Sequence, residues 1–236
     1  MSDLSAFPVS RRWPATHPDR LQLYSFPTPN GVKVSIALEE LGLSYEAHAV
    51  NIMKNETRDP AFLALNPNAK IPAIVDPDGP GGKPFGLFES GAILIYLADK
   101  TGKLMPTDPA RRYETMEWVF FQMAGVGPII GQIGYFYKFA GKDIEDKRPL
   151  QRFIDETKRV LKVLDTRLEG RQWVMGDDYS IADIAQFGWV RALVGFYGAG
   201  ELVEFDGLKY VPGWLERGLA RPAVERGLNI PARPTA

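Results

Sequence analysis

From residue 21 to residue 101, short β-prone runs alternate with helix-patterned runs, and from residue 108 onward no convincing strand occurs. That change of pattern limits the chain to a mixed α/β layer followed by a helical unit, because strands must pair and helical stripes must bury themselves against another layer. Strands are predicted over residues 21–26, 45–51, 71–75 and 84–88. Between them, Val34, Ile36, Ala37, Leu38 and Leu41 recur near helical spacing up to Gly42, and a shorter helix fits residues 60–65. Glu89 and Ser90 open a strongly apolar helix that ends by Gly102. Pro72 falls inside the third strand, where a residue without an N–H cannot donate to the ladder, so it belongs to an edge, a bulge or a cis bond.

The order β-α-β-α-β-β-α is that of a thioredoxin-like α/β sandwich over residues 21–101, although periodicity alone also fits other small α/β layers. Residues 1–20 carry Pro8, Pro14, Pro18 and the pair Arg11 and Arg12, and are expected to form an irregular N-terminal extension. An all-helical domain is expected over residues 108–228, with a tail at 229–236. Within it, residues 149–168 place Leu150, Phe153, Ile154, Thr157, Val160, Leu161, Leu164 and Leu168 on one helical stripe. Residues 118–137 are 20 consecutive uncharged residues, long enough in principle to span a bilayer. Gln122, Gln132, Pro128 and the glycines at 125, 127, 131 and 134 dilute that run, which reads instead as a buried, broken helix. Ser180, with Asp183 three residues on, reads as a capping-box variant, so Asp183 is assigned to structure rather than to catalysis.

The chain has no cysteine, which excludes disulfides, a thiol nucleophile, a CxxC pair and thiolate-held metals; any redox sulfur must arrive with a ligand. Its two histidines, His17 and His48, occupy no metal-site or hydrolase motif, and no metal is expected. The 28 basic and 29 acidic residues give a net charge of −1, which offers no footprint for nucleic acid or an anionic membrane. The N-terminus lacks a basic segment followed by an apolar one, so a cytoplasmic location is expected.

Chemistry then falls to two helix N-termini at strand ends. Thr28 and Asn30 flank Pro29 at the first, where free N–H groups and the helix dipole favour an anion such as a thiolate; a plain N-cap is the alternative. At the second, Ser90 and the first N–H groups suit a carboxylate while Glu89 suits an ammonium, so the pair fits the zwitterionic end of an amino acid as well as simple capping. A cis Pro72 would turn the Ile71 backbone outward for pairing with a peptide ligand.

Thr28-Pro29-Asn30-Gly31, the run Asn66-Pro67-Asn68-Ala69-Lys70-Ile71-Pro72-Ala73-Ile74, Phe88-Glu89-Ser90-Gly91 and Tyr179-Ser180-Ile181-Ala182-Asp183 occur in that order. Over residues 21–228 they closely resemble the glutathione transferases, specifically the bacterial nu class. The resemblance implies a thioredoxin-like glutathione-binding domain, an all-helical domain and a homodimer. It also implies reduction of small disulfides with glutathione as co-substrate, as many as two molecules per active site, and no protein cysteine. Conjugation of glutathione to an electrophilic substrate and hydroperoxide reduction use the same thiolate, and a non-catalytic glutathione-binding module keeps the same fold. Carried over by position, Thr28 and Asn30 would hydrogen-bond the sulfur as the catalytic pair, and Ile71 would pair with the cysteinyl unit. Glu89 and Ser90 would hold the γ-glutamyl group and Lys70 the glycyl carboxylate. Thr57 stands where the family often has Gln or His, and Arg152 matches a family arginine near the second glutathione, although it lies off the apolar stripe of its helix.

Overall fold

The computed structural model describes residues 4–233; the outermost residues of the expected extension and tail, 1–3 and 234–236, lie outside the described residues. The chain divides into two compact units, residues 102–222 forming one and the residues on either side of them the other.

In the first unit an N-terminal turn of helix, α1 (Val9–Arg12), precedes β1 (Leu21–Ser25), α2 (Gly31–Leu41), β2 (Tyr45–Ala49), α3 (Pro60–Leu63), β3 (Ala73–Asp76), β4 (Phe85–Phe88) and α4 (Ser90–Thr101). The sheet order is β2-β1-β3-β4, with β1 parallel to β2 and antiparallel to β3, and β3 antiparallel to β4. All five residues of β1 are buried, as befits a strand with neighbours on both edges and cover on both faces. Its one amide, Gln22, donates to the carbonyls of His17 and Arg20 and accepts from His48 Nε2, 2.8 Å away. His48 is thereby satisfied inside the sheet, stacked 4.8 Å from the ring of Tyr24.

The expected irregular extension is ordered instead. Leu4 and Val9 are buried in one cluster with Tyr24, Phe62 and Val75, and Phe7, Trp13 and Ala15 pack against it. Arg12 reaches Glu56 at 3.5 Å and Asp59 at 3.3 Å, and the N–H groups of Thr16 and His17 donate to the Glu46 carboxylate. The prolines break the segment into short turns, but the apolar residues between them share one face, and burying that face outweighs the ordering cost. The charged stretch after β2 is likewise folded into two 3-10 turns, Ile52–Lys54 and Glu56–Arg58.

The turn from β1 to α2 has no room for a side chain at Gly31: a Cβ there would stand 1.9 Å from the Phe26 carbonyl oxygen and 2.6 Å from Ser25 Oγ. Gly31→Ala is expected to destabilise the protein by about 1–3 kcal/mol through overpacking against fixed backbone, read as a lowered Tm in thermal unfolding.

In the helical unit Asp108 caps α5 (Pro109–Phe121) by accepting from the Arg111 N–H at 2.9 Å. The expected break after Trp118 is absent. The helical path continues through a π segment at Gln122–Val126, then α6 (Gly127–Ile133), then a second π segment at Gly134–Lys138. Pro128 sits in the first turn of α6, where the wider π turn behind it absorbs the missing N–H, and the glycines bring the path close to its neighbours. A Cβ at Gly134, for example, would lie 2.6 Å from the Tyr197 ring. Pro109–Lys138 is long and apolar enough to cross a membrane by length and composition, but Trp118, Val119, Val126, Ile130 and Ile133 are buried inside the helical unit. The unit is completed by α7 (Arg148–Arg167), whose buried residues include Ile154, Thr157, Val160, Leu161 and Leu164, by α8 (Ile181–Arg191) and by α9 (Val211–Leu219). The Ser180–Asp183 capping box forms as read.

The last helix, α10 (Pro222–Gly227), carries the chain out of the helical unit. From it, the Gly227 carbonyl accepts from Ser35 Oγ on α2 at 2.6 Å, and Arg226 pairs with Glu39 at 2.6 Å.

Candidate active site

Thr28 Oγ1 accepts from the Gly31 N–H at 3.2 Å and the Thr28 carbonyl accepts from Val32 N–H at 3.0 Å, which folds residues 28–32 into the start of α2 with Asn30 at its N-cap. Because its oxygen is engaged as acceptor, the Thr28 hydroxyl has its hydrogen to offer elsewhere.

The approach to β3 is shaped by Asn66, whose Nδ2 donates to the Lys70 carbonyl at 2.5 Å and whose Oδ1 accepts from Asn68 N–H at 3.0 Å. That closed loop, with Ala69 at φ 54°, delivers Lys70 and a half-buried Ile71 to the mouth of the sheet, and the Ile71–Pro72 bond is cis. Pro72 lies just ahead of β3 rather than within it. Where β4 gives way to α4, Glu89 is exposed and holds φ 71°, a left-handed conformation that costs a non-glycine residue about 1–3 kcal/mol and that persists where the surroundings impose it. Ser90, the first residue of α4, is 5% exposed.

These pieces meet in one open groove lined by Asn30, Asn66, Asn68, Lys70, Ile71, Pro72, Glu89 and Ser90. Its cavity volume is about 80 Å³, well below the roughly 300–1,000 Å³ of an enclosed small-molecule site, as befits a groove open to solvent. Of the residues singled out in the sequence, the groove gathers Asn30, Lys70, Ile71, Glu89 and Ser90, with Thr28 at its edge in the turn before α2. Thr57 lies in the Glu56–Arg58 turn and is not among the lining residues; Arg152 is exposed on α7 of the helical unit.

One side chain beside the groove is not legible in the sequence. Lys33 on α2 is 0% exposed, and its Nζ donates to Asn30 Oδ1 at 2.8 Å and to Ser90 Oγ at 3.3 Å. Burial pushes its ammonium down to about 7, and the Glu89 carboxylate pulls it partly back up. A lysine in a helix normally reads as a solvent-facing residue; the one warning is that its neighbours Val32, Val34, Ile36, Ala37 and Leu38 make this helix apolar nearly all round, which is the pattern of a buried helix.

Among the described residues no group of three or more His, Asp or Glu side chains stands together as a metal site. The arrangement is suited to anions: two helix N-termini, two short polar side chains and a buried cation beneath them, with an exposed carboxylate at the rim.

Residues 19–99 match the family model "Glutathione S-transferase, N-terminal domain" and residues 129–222 match "Glutathione S-transferase, C-terminal domain". Over 209 residues, 88% of this chain and 94% of the relative, the sequence is 41% identical to the disulfide-bond oxidoreductase YfcG of Escherichia coli strain K12. The chain belongs to the glutathione S-transferase family. This glutathione S-transferase is also 43% identical over 220 residues to the disulfide-bond oxidoreductase YghU of the same organism, spanning 89% of this chain and 74% of YghU. A solved glutathione transferase from Burkholderia graminis, with two glutathione molecules bound per subunit, matches it at 63% identity with a TM-score of 0.97, covering 99% of this chain and 98% of that one. Another, from Pseudomonas putida with one glutathione disulfide bound per subunit, matches at 60% identity and a TM-score of 0.96, covering 98% and 100%. The two-unit architecture of this glutathione S-transferase, a thioredoxin-like sheet layer and a helical unit, is the one the sequence implied.

Proposed function

We propose that the chain is a glutathione-dependent disulfide reductase of the nu-class type, working with bound glutathione thiols in place of a protein cysteine. The observation that carries this reading is the convergence of Asn30 and Ser90, each at a helix N-terminus, on one groove in a chain with no cysteine. In this reading Thr28 and Asn30 hydrogen-bond the glutathione sulfur, the Ile71 backbone pairs with the cysteinyl unit, Glu89 and Ser90 hold the γ-glutamyl end, and Lys70 faces the glycyl carboxylate. Thr57, in the turn at 56–58, and Arg152, on α7, are proposed as further glutathione contacts, Arg152 toward a second molecule. The two-glutathione Burkholderia structure supports a second molecule nearby.

Donors aimed at the sulfur favour the thiolate over the thiol, lowering the pKa from about 8.5 and enlarging the reactive fraction at neutral pH. One glutathione thiolate attacks a sulfur of the substrate disulfide, forming a mixed disulfide and releasing one substrate thiolate. A second glutathione thiolate attacks the glutathione sulfur of that mixed disulfide, so the products are oxidised glutathione and two substrate thiols, with two electrons supplied by two glutathiones. A homodimeric protein in the reducing cytoplasm belongs to the same proposal.

Two measurements test it. Pretreating the protein alone with a thiol alkylator and removing the excess should leave disulfide reductase activity intact, since no protein sulfhydryl exists to modify. Initial rates against glutathione concentration should require two glutathione terms. An enzyme that conjugates electrophiles with a single glutathione term and reduces no disulfide would replace this reading with the conjugation one, and a folded protein that binds glutathione but turns over none of a disulfide, electrophile and hydroperoxide panel would be a binding module.

A further inference from the structure

We propose that Lys33 is a positioning residue for this groove: one buried cation that fixes the sense in which the side chains at both helix N-termini offer their hydrogen bonds. The inference rests on the glutathione reading above and deepens it.

Lys33 is wholly buried, and its ammonium sits 2.8 Å from Asn30 Oδ1 at the start of α2 and 3.3 Å from Ser90 Oγ at the start of α4. One side chain therefore ties together the two ends that line the groove. In its protonated form, the one populated below about pH 7 and favoured when an anion binds beside it, Lys33 has three N–H donors and no acceptor, so each partner can face it only with an oxygen lone pair. For Asn30 this decides the orientation of an otherwise reversible amide: Oδ1 turns to Lys33, and Nδ2, the donor, turns away from it. For Ser90, the oxygen is engaged as acceptor and the hydroxyl hydrogen points away from the ammonium.

Thiolates and carboxylates only accept hydrogen bonds, so this polarity is the one that bound anions require at both positions. An Asn30 amide turned the other way would present its carbonyl oxygen to the sulfur and repel it. The cation adds a second effect, because a positive charge in a poorly screened site favours the ionised form of a thiol bound next to its partner Asn30. Replacing a buried charged side chain with an apolar one of similar volume is often neutral or stabilising, so a lysine kept only for packing would leave ligand affinity and thiol titration unchanged on replacement, and those two readouts separate the roles.

The test uses the full-length protein and reduced glutathione. Lys33→Met should keep or raise Tm, weaken glutathione about tenfold by calorimetry and raise the titration of the bound thiol, followed by its ultraviolet thiolate absorbance, by about one pH unit. Lys33→Gln, which keeps an N–H donor at the same place without the charge, should recover part of both losses. A folded Lys33→Met protein with wild-type affinity and wild-type thiol titration overturns the proposal while leaving the functional reading intact. Should neither lysine variant fold, Asn30→Asp decides, since it keeps an oxygen on Lys33 but removes the outward donor: the bound thiol should again titrate higher, and a wild-type value overturns the proposal. A wild-type protein that binds no glutathione overturns the functional reading and this one with it.

Discussion

Asn30→Ala is expected to lower kcat/KM for glutathione-dependent disulfide reduction by about 10- to 1,000-fold while the protein remains folded, the range seen when a preorganised donor to a developing anion is removed. The size of the effect comes from place rather than from chemistry peculiar to asparagine. Asn30 stands at the N-cap of α2, lines the groove, and has its oxygen on Lys33 at 2.8 Å, which turns its amide nitrogen, the donor, away from the lysine. Thr28→Ala should act in the same direction, but with a stability component of about 1 kcal/mol, because Thr28 Oγ1 also accepts from the Gly31 N–H. Thr28→Ser, which retains that oxygen and its hydrogen, separates the two components: it should recover both Tm and most of the turnover. Circular dichroism and thermal unfolding establish that the variants are folded, and steady-state kinetics with a small disulfide gives the ratio. Wild-type kcat/KM in folded Asn30→Ala and Thr28→Ala proteins together would mean that another group activates the sulfur.

Much of this site is legible in the sequence because its parts are local. Asn30, Ile71, Glu89 and Ser90 each sit at a strand end or a helix start, and turn residues announce those positions: Pro29 and Gly31 around the first, Pro72 at the second, and the polar pair Glu89-Ser90 between a strand-patterned and a helix-patterned run at the third. What brings them into one groove is the β1–β3 antiparallel pairing, a long-range contact that no local pattern specifies. Lys33 is illegible for a related reason. Its burial follows from α2 being covered on more than one side, including by the Gly227 end of α10, which lies nearly two hundred residues away in sequence. The N-terminal extension shows the opposite error, in which local signals spoke too loudly: three prolines and two arginines suggested an irregular arm, yet the partners of Leu4 and Val9 in the core are Tyr24, Phe62 and Val75, all downstream. The run after Trp118 follows the same logic, since Pro128 and the glycines break an isolated α-helix but are accommodated where π turns and close neighbours are available.

Asp183→Ala should cost about 3–5 kcal/mol at neutral pH, the penalty for dismantling a buried hydrogen-bonded charge, which for a protein of this size lowers Tm by roughly 10 °C. The carboxylate is 0% exposed. Its Oδ1 accepts from the Val174 N–H at 2.8 Å and from Trp214 Nε1 at 2.9 Å, and its Oδ2 accepts from the Ser180 N–H at 3.0 Å and from Ser180 Oγ at 3.3 Å. Removal strands three N–H donors in an apolar interior and unties the start of α8 from α9 and from the loop at Val174. Asp183→Asn keeps the shape but turns an NH₂ toward groups that are themselves donors, so it should fall between the wild type and the alanine variant. The pH dependence carries its own sign. Burial pushes the Asp183 carboxyl up to about 6 from 3.8, overriding its donors, so between those values the native state holds a proton that the unfolded chain has released. With more protons bound in the native state, the contribution of this group to stability is full at the lower pH and declines as pH rises toward 6. The stability deficit of Asp183→Ala relative to the wild type should therefore narrow from about pH 4 to about pH 6 and level off above, as read by denaturant unfolding at each pH. A deficit that widens over that interval would reverse the assignment of burial as the dominant influence. Because the groove is lined by residues of the first unit alone, the folded fraction of Asp183→Ala should bind glutathione with wild-type affinity, which distinguishes a residue that holds the helical unit together from one that serves the sulfur.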